Sequence, residues 1–132
     1  MQKLRHNRRK QGNEYEAQAC DWFTVHGWNV LLRNVYTPFG ELDIVVYQEI
    51  SPYQYSLAFV EVKGRQKVSS WNEDAVSLQK QQRILQSIDW LLQENSNPKS
   101  VQQVLDHCAQ MQVVVVFVEN TQITVLWDAF PA

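Results

Sequence analysis

Apolar residues Ala19, Cys20 and Phe23 recur at helical spacing between Asn13 and His26, and Gly27 then supplies a stop signal. That spacing predicts a first helix. Trp28–Leu32 reads as a short strand, Thr37-Pro38-Phe39-Gly40 as a turn, and Leu42–Tyr47 as a second strand rich in β-branched residues. Residues 49–55, centred on Ser51-Pro52, break the pattern before a third strand at Leu57–Lys63. Asn72 reads as the N-cap of a long helix reaching Leu92, with Glu73 and Asp74 in its first turn and a stripe of Ile84, Leu85, Ile88, Leu91 and Leu92. A short helix is expected at Val101–His107, then two strands, Gln112–Glu119 and Gln122–Trp127, joined by a tight Asn120-Thr121 turn. The order helix, three strands, helices, two strands predicts an α/β fold with helices on both faces of one mixed sheet. Strands two and three are apolar on both faces, as a sheet sandwiched between helices requires.

Charges interrupt those two strands. Side chains alternate along a strand, so Glu41, Asp43 and Val45 are expected to share one face, as are Leu57, Phe59, Glu61 and Lys63. With the turn centred on Pro52, antiparallel pairing sets Asp43 opposite Glu61, β-carbons roughly 4.5 to 5.5 Å apart. Two like charges at about 4 Å repel by on the order of 4 kcal/mol at an effective dielectric near 20. A divalent cation offsets that repulsion, and Lys63 adds positive charge beside Glu61. Mg²⁺ suits one or two carboxylates with water and phosphate oxygens completing its shell. The ordinary alternative is an ion pair between Glu61 and Lys63, with Asp43 capping a turn. Glu16 lies on the stripe of Ala19, Cys20 and Phe23, and Lys80 on that of Ile84, Ile88 and Leu91; either alone could snorkel outward, but together they put one acid and one base beside the pair.

With 132 residues the chain is expected to form a single domain. Its longest aliphatic and aromatic run, Val113–Val118, falls far short of the roughly 20 residues that span a bilayer. The amino terminus lacks the apolar core of a secretory signal, so a cytoplasmic protein without membrane attachment is expected. Cys20 and Cys108 form no CxxC pair, which argues against a structural disulfide or zinc cage. The formal charge is −2, yet Lys3, Arg5, Arg8, Arg9 and Lys10 crowd the first ten residues while all 14 acids lie beyond them. Residues 1–11 are read as a flexible basic arm able to steer a polyanion toward the body, or as a solvated tail that only aids solubility.

GELD at 40–43 and FVEVKGR at 59–65 resemble the two strongest motifs of the YraN family, small bacterial proteins assigned to the restriction-endonuclease-like PD-(D/E)xK nuclease superfamily. Arg33-Asn34, Ala75-Val76 with Lys80, and Ala129-Phe130 fit the same pattern, and the likeness spans roughly residues 12–130. The resemblance implies a three-layer restriction-endonuclease-like fold over residues 12–132. It implies a site in which Asp43 and Glu61 bind metal, Lys63 completes the ExK element, Glu16 contributes from the first helix and Lys80 is the basic residue of the following helix. Three positions depart from the pattern: Tyr15 stands where the family usually has glycine, Gly64 replaces a usual threonine, and Gln112 replaces a frequent aspartate.

The expected activity is Mg²⁺- or Mn²⁺-dependent hydrolysis of DNA, branched or single-stranded, with DNA preferred to RNA. Arg65, Lys80, Arg8, Arg9 and Lys10 would contact flanking phosphates, and a homodimer or a larger DNA-processing complex is conceivable. The rival readings are a nucleic-acid-binding adaptor that keeps the fold without cutting, and a structural partner using Trp22, Trp28, Trp71 or Trp127 as an interface anchor.

Overall fold

Gly27, at φ +87, ends the first helix, α1 (Gln2–Val25), and turns the chain so that the Trp28 amide donates back to the Phe23 carbonyl at 2.9 Å. A side chain is disfavoured in that left-handed conformation, so the stop signal read from the sequence has a structural cause. In this computed structural model residues 2–64 and 76–130 are described, with side chains from residue 12 onward. Helix α1 begins at Gln2 and not at Asn13, so the backbone of the basic segment 2–11 continues the helix.

The elements that follow are β1 (Asn29–Thr37), β2 (Gly40–Ser51), β3 (Gln54–Gly64), α2 (Leu78–Gln93), α3 (Lys99–Asp106), β4 (Cys108–Glu119) and β5 (Gln122–Leu126). They build one five-stranded sheet in sequence order, antiparallel except where β3 runs parallel to β4. That parallel pair needs a crossover, and the segment carrying α2 and α3 supplies it. The protein is therefore α/β with a mixed sheet.

Two apolar layers flank the sheet. On one side Val45, Leu57, Phe59 and Val113 meet Ile84, Ile88 and Leu91 of α2 and Val104 and Leu105 of α3. On the other, Ile44, Val46, Val60, Val114 and Val116 meet Ala19, Cys20 and Phe23 of α1. Helices thus cover both faces, as the doubly apolar strands require. Cys20 and Cys108 are both free thiols.

The strands are longer than their sequence pattern suggested. β1 continues through Arg33-Asn34, and β2 runs past Gln48 and Glu49 because antiparallel partners satisfy the backbone whatever the side chains are. The β2–β3 turn is Pro52-Tyr53, with Ser51 facing Gln54, and an irregularity between Glu49 and Ser51 restores the expected register. Ser77 caps α2, its side chain accepting from the Lys80 amide at 3.2 Å; Asn72, Glu73 and Asp74 lie outside the described residues. Among the described residues no helix is long and apolar enough to cross a membrane.

Candidate active site

Along β2 and β3 the register pairs Ile44 with Val60 and Val45 with Phe59. The paired register ends there, and the next residues on each strand, Asp43 and Glu61, lie close enough for the Glu61 charge to act on the Asp43 carboxyl. The Asp43 carboxylate accepts a hydrogen bond from the Val62 amide at 2.8 Å, which ties it to β3.

The faces are arranged differently from the expectation. Leu42 and Val45 both join the α2-side layer, whereas Ile44 and Val46 join the α1-side layer, so strict alternation breaks at Asp43. The register of Arg33 with Ile44 and Val35 with Leu42 puts Asn34 opposite that break, and Asn34 sits at φ +53. Asparagine tolerates that left-handed conformation better than most residues. Glu41 turns toward α1 and does not share the face of Val45.

There it meets Glu16. Carboxylate oxygens of Glu16, Glu41 and Asp43 all lie within 4.8 Å of one another. With the Asn34 amide nitrogen turned toward the acids, it donates to Glu41 Oε1 at 2.9 Å and to Glu16 Oε1 at 2.8 Å. Glu61, which is 6% exposed, takes its partner from the other side, where Lys80 Nζ of α2 lies 2.5 Å from its Oε1. Residues from α1, β1, β2, β3 and α2 thus converge on one end of the sheet.

Electrostatics follow the crowding. Burial, reinforced by Glu61, Glu16 and Glu41, pushes the Asp43 carboxyl up to about 8 against the opposing pull of the Val62 amide. Burial, with Glu41 and Glu61 nearby, also raises Glu16, although Arg33 and Asn34 pull it down. Glu41 is raised by burial and by Glu61, with Lys80 opposing. Carboxylates held so close disfavour full ionisation, and a cation is the partner that relieves them. A cluster of hard oxygen ligands suits Mg²⁺ or Mn²⁺.

Two grooves border the cluster and share Glu41. One, of about 580 Å³, is lined by Gly12, Asn13, Glu16, Asn34, Tyr36 and Glu41. The other, of about 350 Å³, runs along the start of α2 and includes Phe39, Ser77, Lys80, Arg83 and Ser87.

Of the residues singled out in the sequence, Glu16, Asp43, Glu61 and Lys80 come together. Lys63 is half-buried near the end of β3, in register with Phe117 of β4. Arg65 lies outside the described residues, and Arg8, Arg9 and Lys10 belong to the α1 segment whose side chains are not described. Sequence reasoning gave no role to Glu41 or Asn34. Glu41 stands two residues from Asp43 in GELD, which was the available signal; the Asn34 bridge had none beyond its place before that motif.

The departures at positions 15 and 64 meet in space. A Cβ at Gly64 would overlap the Tyr15 ring, so Gly64 makes room for that ring beside Glu16 and at the end of the strand carrying Lys63. Gln112 does a structural job, accepting the Asp128 amide at 2.9 Å through Oε1.

An α/β protein whose central strands deliver an acidic cluster to one sheet end is the class that fold and site define. The sequence profile of the uncharacterised protein family UPF0102 matches residues 15–119, and the chain belongs to that family. Its relatives include UPF0102 proteins of Lachnoclostridium phytofermentans, 32% identical over 86% of this chain and 93% of its own, and of Desulfosudis oleivorans, 29% identical over 96% and 94%. A UPF0102 protein of Bifidobacterium longum subsp. infantis is 39% identical over 58% of this chain, and the match spans only 60% of that relative's length.

Proposed function

We propose that this protein is a metal-dependent nuclease of restriction-endonuclease-like fold that hydrolyses DNA phosphodiesters. The observation that carries the reading is the convergence of Glu16, Glu41 and Asp43 within 4.8 Å, with buried Glu61 alongside, where two grooves meet. The helices on both faces and the mixed sheet agree with that fold.

Asp43, with Glu16 and Glu41, would hold the cation, and Glu61 joins them once Lys80 moves aside. A bound Mg²⁺ or Mn²⁺ supplies Lewis acidity toward a phosphate oxygen and lowers the pKa of water. Asn34 fixes the Glu16 and Glu41 carboxylates by donating to both. Lys63 orients the attacking water or neutralises charge developing on the phosphate. Lys80 and Arg83 line the second groove, where cations hold a substrate backbone without reading its sequence. Arg65, Arg8, Arg9 and Lys10 would contact flanking phosphates.

One observation favours a binding-only adaptor: the Glu61 carboxylate is already engaged by Lys80. A cleavage panel separates the two readings. Single-stranded, duplex, flapped and four-way DNAs are incubated with Mg²⁺ or Mn²⁺, and metal-dependent cutting of at least one is expected. Glu61→Ala or Lys63→Ala should reduce it by on the order of 100-fold or more. Binding without cleavage of any substrate would establish the adaptor instead.

A further inference from the structure

The β1–β2 turn carries two large apolar rings in solvent, Tyr36 at 74% exposure and Phe39 at 42%. Exposed rings at a loose tip would mean little, but this tip is pinned. The Thr37 hydroxyl donates to the Gly40 carbonyl at 2.9 Å and accepts from the Phe39 amide at 3.1 Å. Its oxygen also lies 2.8 Å from Ser87 Oγ, on a fully buried residue of α2. With the Thr37 proton used on Gly40, Ser87 supplies the donor, so turn and helix are tied together. The rings are thus carried on a pre-organised support.

Their placement relates to the acids. Tyr36 stands directly across from Glu41 in the β1–β2 register and lines the groove with Glu16 and Asn34. Phe39 lines the other groove, with Lys80 and Arg83. One aromatic therefore borders each groove, with Glu41 and the acidic cluster between them.

We propose that Tyr36 and Phe39 are stacking platforms for unpaired nucleobases on either side of the scissile phosphate, so that the substrate class is nucleic acid with unpaired nucleotides at the cut. This rests on the nuclease reading above. Duplex DNA hides its base faces in its own stack and presents only edges and backbone, to which these rings offer little. An unpaired base offers a free π-face, and stacking on an aromatic contributes roughly 1–3 kcal/mol per base without demanding a sequence. Cations for the backbone stand in the same groove as Phe39, so ring and charge can engage one nucleotide. A protein partner is the less favoured occupant, because Glu41 and exposed Pro38 separate the rings and cationic groups flank Phe39.

Fluorescence anisotropy of the full chain tests the proposal, with Ca²⁺ replacing Mg²⁺ to keep the complex uncleaved. The probes are a DNA duplex, the same duplex with a flap of unpaired thymidines, and a single strand. The wild-type protein should bind the flapped and single-stranded probes more tightly than the duplex. Tyr36→Ala and Phe39→Ala should each weaken unpaired-probe binding by roughly 5- to 100-fold and duplex binding by less than about twofold. Tyr36→Trp and Phe39→Tyr, which keep a ring, should restore it. Equal losses on all probes, or none on the unpaired ones, would overturn the stacking role while leaving the nuclease reading intact. Self-association abolished by Tyr36→Ala with probe binding unchanged would assign the turn to a protein contact. Absence of wild-type binding to every probe would remove the nuclease reading and the stacking role together.

Discussion

Glu16 and Phe23 lie seven residues apart on α1, two turns along one stripe, yet the surroundings at the two positions have opposite physics. Around fully buried Phe23 the neighbours are Trp22, Trp28 and Trp127, with ring centroids 5.1 to 6.2 Å away in edge-on or T-shaped contact. His26 stacks on Trp22 with centroids 3.9 Å apart. Such contacts favour folding outright. Around Glu16 the neighbours are carboxylates whose burial and mutual repulsion raise the pKa values of Asp43, Glu16 and Glu41. Those contacts oppose folding as long as no cation joins them. The aromatic end anchors α1, and the anchored helix holds an acid where it would not otherwise stay. Trp22, Trp28 and Trp127 serve that anchor, whereas Trp71 lies outside the described residues.

The contrast can be broken most forcefully at the anchor. Phe23→Ala should cost about 3–5 kcal/mol in denaturant unfolding, because it empties a fully buried site. A loss under about 1 kcal/mol would show that the aromatic cluster does not anchor the helix.

A smaller effect is expected where α1 passes the end of β3. Gly64→Ala should destabilise by roughly 1–3 kcal/mol, since the new methyl overlaps the Tyr15 ring. Most of that cost should vanish in a Tyr15→Ala background, as a double-mutant cycle of unfolding free energies would reveal.

The smallest change is expected at the acidic end, from Asp43→Asn at pH 4 or below, because a protonated aspartate and an asparagine are alike in shape and charge and the unfolded chain then holds its proton too. The folded Asp43 carboxyl titrates at about 8 against an ordinary value of 3.8. Between those values the folded state holds a proton that the unfolded chain has released, so metal-free stability should fall as pH rises from about 4 to about 8 and then level off. Asp43→Asn should flatten that slope and leave the variant more stable than wild type near pH 9. Unchanged slopes in a pH series of urea melts would mean that the cluster carries less strain than its geometry implies.

Much of the framework was legible. Gly27, the β2–β3 register and the Ile84, Ile88, Leu91 stripe follow from local rules of conformation and periodicity, which a single chain displays openly. The start of α2 differs from the expectation because Ser77, also a competent cap, begins the helix at Leu78. In the site, period-two alternation brought Asp43 to Glu61, but the same rule misassigned Glu41. Its orientation follows the break in alternation at Asp43, opposite left-handed Asn34 on the neighbouring strand, and strict period two does not encode such a break. The ion pair of Lys80 with Glu61 was likewise beyond periodicity, which places Lys80 on a stripe but cannot say how its flexible stem will point.

The contact between Tyr15 and Gly64 also constrains how such a sequence can have arisen. Small residues at both positions leave only a gap, whereas a tyrosine facing any side chain at 64 forces two groups into one volume. The less costly order of substitution is therefore glycine at 64 first and tyrosine at 15 second. Once the ring is in place, any side chain at 64 must displace it, so a change at 64 costs least when position 15 has already lost its ring.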